Sequence, residues 1–142
     1  MQKFVRIAVA ALLLMTVGAA MAAGSSRAQR NKLGDLQEIY AAALRWSDFE
    51  GASTLLDPEY QRTNPLTDLK LERYKQIQVT GYRELGSSEL DDGTVVRDID
   101  MSVINRNTQV ERTLRYREKW RWDKQAKRWW VTSGLPDLWD GQ

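Results

Sequence analysis

Three charged residues stand where a two-residue alternation aims them among apolar neighbours: Arg97, Arg112 and Glu118 share the phase of Val95, Met101, Leu114 and Tyr116. Charges are almost never buried without partners. Two arrangements suit them: a satisfied ionic cluster at the rim of a core, or polar groups converging on a ligand inside it. In the second case, paired arginines flanked by Tyr82, Tyr116 and Trp120 would take a small ligand with a carboxylate or phosphate head and an apolar body. The opposite phase of the same segment carries Arg115, Arg117, Lys119 and Arg121. That stripe reads either as an ordinary charged outer face or as a docking surface for an acidic partner. Trp130, on the outer phase, and Trp139, past Pro136, are the aromatic residues placed to add contact with another surface. Asp98 and Asp100 also share a face, but it is the solvent side, where neither carboxyl is desolvated enough to hold the raised pKa of a general acid.

What the chain lacks narrows the chemistry further. It has no His and no Cys, which removes Ser-His and Cys-His nucleophile pairs, imidazole bases, thiolate sites, zinc clusters and disulfides. No metal or cofactor is expected. An enzyme made from this chain would run on carboxylates with Tyr or Arg.

The first residues read as an export signal. Lys3 and Arg6 give a positive start, residues 7–17 are apolar, and Ala20-Met21-Ala22 fits the small-x-small cleavage pattern. Cleavage after Ala22 leaves 120 of the 142 residues, with 23–30 as a flexible lead-in and 31–142 as one domain in the bacterial periplasm. If the segment were retained, it would approach the roughly 17 residues of a short membrane anchor, and the protein would be a membrane-anchored assembly component. Loss of Lys3 and Arg6 from the 21 basic residues equalises them with the 19 acidic ones, so no global charge argues for nucleic acid.

The elements that must position these groups follow from periodicity. Leu33, Leu36, Tyr40, Ala43 and Leu44 recur at helical spacing and predict a helix over 31–46. Ser47-Asp48-Phe49-Glu50 matches a capping box opening a second helix that Pro58 ends, and Asn64 before Pro65 signals a third. After Lys75 the period becomes two: Ile77 and Val79, then Val95 to Val103, then Val110 to Trp122 alternate apolar with polar residues, as in an antiparallel meander with one buried face. Asp92-Gly93 predicts a two-residue hairpin turn. Closing the next turn over 105–108 sets Val103 against Val110, Ile99 against Leu114 and Asp98 against Arg115. In the last hairpin Trp122 faces Trp129, Trp120 faces Val131, and Arg121 faces Trp130 with a cation–aromatic contact. The first turn's register conflicts in phase with Ile77 and Val79, so a bulge is required at Gly81 or Gly86.

Helices first, then a bent meander ending in Lys119-Trp120-Arg121-Trp122 and Arg128-Trp129-Trp130-Val131: this resembles the NTF2-like, or SnoaL-like, superfamily of cone-shaped α+β domains. The resemblance implies helices packed on a curved antiparallel sheet of about four long strands. That family includes enzymes, binders of small apolar molecules in the cone, and protein-contact modules. Its enzymes often use a His or an Asp with Tyr partners, and the missing His turns the expectation toward a non-catalytic domain that binds a partner protein, a second copy or a small acidic or apolar ligand.

Overall fold

The computed structural model describes residues 24–139; the leader read at 1–22 and the last three residues lie outside them. The order is α1 (Arg27–Arg45), α2 (Phe49–Ser53), α3 (Pro58–Thr63), α4 (Asp68–Tyr74), β1 (Ile77–Glu89), β2 (Val95–Asn105), β3 (Glu111–Asp123) and β4 (Arg128–Val131). The four strands form one antiparallel sheet in sequential order. The chain is thus α+β, with α1 against an unclosed, curved sheet.

α1 begins four residues before the 31–46 reading. Ser26 caps it, accepting from the Gln29 amide while the Gln29 side chain accepts from the Ser26 amide. This reciprocal cap satisfies two orphan donors and turns the second half of the expected lead-in, residues 27–30, into helix. Leu33, Tyr40, Ala41 and Leu44 are its buried face.

The helix-start signals after α1 fall on neighbouring residues. Asp48, not Ser47, caps α2 through the Gly51 amide. Ser47 sits at φ 59° and its hydroxyl instead accepts from the Val79 amide at the start of β1. Pro58 does more than stop a helix: it is the first residue of α3, capped by Asp57, a use of proline's fixed φ that the sequence reading assigned only to Pro65. Asn64 is the C-cap of α3, and Thr67 opens α4.

Both proposed bulge sites are used, with register shifts between Val79 and Gly81 and between Glu84 and Gly86. The count follows from the turn. The β1–β2 loop holds three residues rather than two: the Leu90 amide donates to the Thr94 carbonyl, and Gly93 takes the left-handed conformation at φ 83°. One extra loop residue inverts the phase, so two bulges are needed to put Tyr82 and Glu84, then Val79 and Ile77, on the concave side.

The β2–β3 register is displaced by two residues from the expected one. The Asn105 side chain accepts from the amides of Asn107 and Thr108, Gln109 turns at φ 60°, and Asn105 pairs with Val110. Hence Val103 faces Arg112, Met101 faces Leu114, Ile99 faces Tyr116 and Asp98 faces Arg117. A two-residue slip keeps every side chain on its face and changes every partner. The last hairpin has the expected pairs, Trp120 with Val131 and Trp122 with Trp129.

The core lies between α1, α2 and the concave face. Trp120 and Trp129 are fully buried there, and each removes on the order of 150–250 Å² from water, worth about 4–6 kcal/mol. The β4 edge is covered: residue 57 donates its amide to the Val131 carbonyl and Val131 donates to the Leu55 carbonyl. No helix of the described residues is long and apolar enough to cross a membrane.

Candidate functional site

Four of the six residues expected around a ligand meet in one buried cluster. Arg97 on β2 and Glu118 on β3 are cross-strand partners on the concave side. Arg97 Nε and Nη2 donate to Glu118 Oε1 at 3.1 and 2.8 Å. The Tyr82 hydroxyl donates to Glu118 Oε2 at 2.7 Å, and the Trp120 indole N–H donates to Glu118 Oε1. Arg97 Nη1 reaches Glu84 at 3.0 Å and Nη2 reaches the Tyr82 hydroxyl oxygen at 2.8 Å. The carboxylate of Glu118, fully buried, is therefore ringed by donors from this chain itself. Burial works against the Arg97 charge, but Glu118, Tyr82 and Glu84 together hold its pKa above the usual value. Burial and the Glu118 charge push the Tyr82 hydroxyl far up. The guanidinium of Arg45, from the end of α1, lies 5.3 Å from the Tyr82 ring centre.

Tyr116 belongs to an adjoining network. Its hydroxyl lies 3.0 Å from that of Tyr40 and 3.1 Å from Ser133 Oγ, and it donates to the Gly134 carbonyl at 2.8 Å. Burial, then the Glu118 charge, raises its pKa, and burial with the neighbouring Tyr116 does the same for Tyr40. At neutral pH both hydroxyls keep their protons and act as donors.

Arg112 does not join Arg97. It pairs with Val103 at the far end of the sheet and donates from Nη2 to the Leu138 carbonyl. The two arginines expected to converge lie six positions apart along the sheet, with Leu114 and Tyr116 filling the inner positions between Arg112 and Glu118. Among the described residues no group of three or more acidic residues is placed to hold a metal ion.

The outer stripe is also committed to pairs. Arg115 reaches Asp100 at 3.4 Å, a carboxylate shared with Arg83 at 3.1 Å. Arg117 pairs with Asp98 at 2.9 Å, where the sequence reading placed Arg115. This contact, by hydrogen bond first, lowers the Asp98 pKa and raises that of Arg117. Arg121 does not stack on Trp130. It turns to Asp57, donating from Nε at 3.0 Å and Nη2 at 2.5 Å, while Arg128 lies over the Trp130 ring at 3.8 Å and Asp123 accepts the Trp130 indole N–H. A buried carboxylate at the start of α3 outbids the ring, because the charge-assisted pair is the stronger contact. Burial opposes the Asp57 charge, yet Arg121 and the Glu59 amide leave its pKa below the ordinary value. Lys119 points outward, exposed. Trp139 packs edge-on against Tyr74 at 5.0 Å with the Arg73 guanidinium 4.2 Å from its ring, so it serves the chain's own fold.

Two surface side chains escaped the sequence reading. Trp46, the C-cap of α1, is 85% exposed and Ile39 is 56% exposed. Seven residues apart, they share the side of α1 turned away from Leu33, Tyr40 and Leu44. Their positions off the apolar stripe of α1 were the signal that could have found them. Leu69 on α4 is also exposed, at 81%.

No family model, no curated protein and no solved structure matches this chain.

Proposed function

We propose that this chain is an exported, non-catalytic contact domain of NTF2-like architecture, working in the periplasm by binding another protein through α1. The observation that carries this reading is Trp46: an indole 85% open to water, one face of a helix shared with the exposed Ile39. Trp is the side chain most enriched among residues that dominate binding energy, and such anchors fill recesses on a partner. A protein with an apolar recess wide enough for an indole is the complementary surface. Export rests on Lys3, Arg6, the apolar run at 7–17 and the Ala20-Met21-Ala22 cleavage pattern.

The concave side supports contact over catalysis or an open ligand site. Arg97 and Glu118 spend their hydrogen bonds on each other, on Tyr82, Glu84 and Trp120, so neither offers a free group to a substrate. A photo-crosslinking residue at position 46, compared with one at Arg117 on the outer sheet face, tests the reading in producing cells. A discrete adduct at 46 and none at 117 is the expected result; equal labelling at both defeats it. Intact mass of the exported protein checks the leader, with a start near Ala23 expected.

A further inference from the structure

Beyond β4 the chain leaves the sheet. Thr132 still donates its amide to the Lys119 carbonyl, and Ser133 Oγ accepts the Lys119 amide. From Gly134 onward the ties change in kind: side chains of the body donate to carbonyls of the segment. The Gly134 carbonyl takes Tyr116 at 2.8 Å and Tyr40 at 3.4 Å, the Pro136 carbonyl takes Tyr74 at 3.0 Å, and the Leu138 carbonyl takes Arg112. These donors come from α1, α4 and β3, and they read every second carbonyl. Between them Pro136 and Leu138 are fully buried, and Trp139 is held between Tyr74 and Arg73.

Main-chain carbonyls read by fixed donors, with pockets for alternate side chains, is how a groove recognises a peptide. None of these contacts depends on the peptide being joined to Val131. The joint is also suited to change direction. Gly134 sits at φ 74°, and a Cβ built there would stand 2.2 Å from the Tyr60 hydroxyl, so only glycine makes the turn that lays the segment back on its own body. Short connections under such constraint are where identical segments exchange between copies.

We propose that residues 134–139 are a self-docked peptide, and that the groove formed by Tyr40, Tyr74, Arg112 and Tyr116 accepts the same segment from a second copy of this chain, giving a segment-exchanged dimer. The occupant is fixed by the fit: the sequence Gly134-Leu135-Pro136-Asp137-Leu138-Trp139 is the one that fills the groove. This is independent of the α1 surface, since neither Ile39 nor Trp46 takes part.

The test uses the full chain carrying Leu138→Asp, whose own segment cannot seat a carboxylate at a fully buried position. A fluorescein-labelled synthetic peptide spanning 134–142 should bind this variant saturably, measured by anisotropy. It should bind the wild-type chain weaker by on the order of 100-fold or more, because the tethered segment competes at high effective concentration. The same peptide carrying Leu138→Asp should bind neither. Two outcomes overturn the groove: a variant that is folded by circular dichroism yet takes no peptide, or a variant that unfolds, which makes the segment part of the core. Exchange is read separately by sedimentation of wild-type protein refolded at high concentration. A dimer absent from Leu138→Asp supports it; wild-type protein that stays monomeric at every concentration overturns the exchange.

Discussion

Residues 97 and 98 are neighbours on β2, and 118 and 117 are their cross-strand partners on β3. Both rungs hold an ion pair of nearly equal length, 2.8 Å for Arg97–Glu118 and 2.9 Å for Arg117–Asp98. The pleat sends them to opposite faces. Inside, the side chains are 8% and 0% exposed; outside, they are 64% and 37%. The inner pair has lost its water and must satisfy every remaining donor and acceptor from the protein, which is why Tyr82, Trp120 and Glu84 surround it. The outer pair keeps its water and gains little from closing. Distance alone does not give the worth of an ion pair; the dielectric around it does.

The comparison is broken most directly at Glu118. Glu118→Gln leaves the buried Arg97 with only the half-exposed Glu84 carboxylate as counter-charge, and the expected loss is about 3 kcal/mol in denaturant unfolding. Replacing the pair together with one of its donors, as Arg97→Met, Glu118→Leu and Tyr82→Phe, should recover part of that loss, the remainder being the Trp120 indole N–H left without its acceptor. A triple variant less stable than the single one would show that the cluster itself is net stabilising.

Alkaline titration sharpens the contrast next. Tyr40, Tyr74, Tyr82 and Tyr116 all have raised pKa values, Tyr74 to about 12, with burial as the first cause. Above the unfolded value of 10 the unfolded chain sheds these protons while the folded chain holds them. Stability therefore falls as pH rises, by about 1.4 kcal/mol per pH unit for each tyrosine. Unfolding monitored by tyrosinate absorbance should be cooperative rather than a set of independent titrations. Tyr82→Phe should reduce the steepness by one proton.

Asp57 is intermediate, a capping carboxylate that also holds Arg121. Asp57→Asn should cost about 1–2 kcal/mol in thermal unfolding. Its folded pKa lies below the unfolded one, so this contribution is present above about pH 4 and is lost as pH falls through the depressed value. The variant should therefore show a shallower acid limb. The smallest effect is expected outside: Arg117→Ala should change stability by about 0–1 kcal/mol. A loss equal to that of Glu118→Gln would erase the distinction between the faces.

Much of this was legible in the chain. The change from helical to two-residue period at Lys75 and the inward phase of Arg97, Arg112 and Glu118 follow from side-chain alternation, which is a local property; the need for a bulge at Gly81 or Gly86 and the Trp120 and Trp122 pairings came from adding the turn signals. What alternation cannot supply is the partner. The β2–β3 turn starts one residue later than its composition suggested, since the Asn105 side chain closes it, and every contact across that seam moved by two while every face stayed the same. Arg112 has the same phase as Arg97 yet serves the Leu138 carbonyl.

Sequence by itself determined which face of β2 and β3 is buried, because alternation within one strand fixes the face, whereas Leu90 and Val110, beside the turns, are exposed despite their inward phase. Tertiary structure alone decided what each buried charge meets and where the 134–139 segment lies. Those depend on turn lengths, on bulges and on chain returning from 100 positions away, as when Trp129 donates to the Gln29 carbonyl. Contacts of that kind are set by the closure of the whole fold, and no window of sequence contains them.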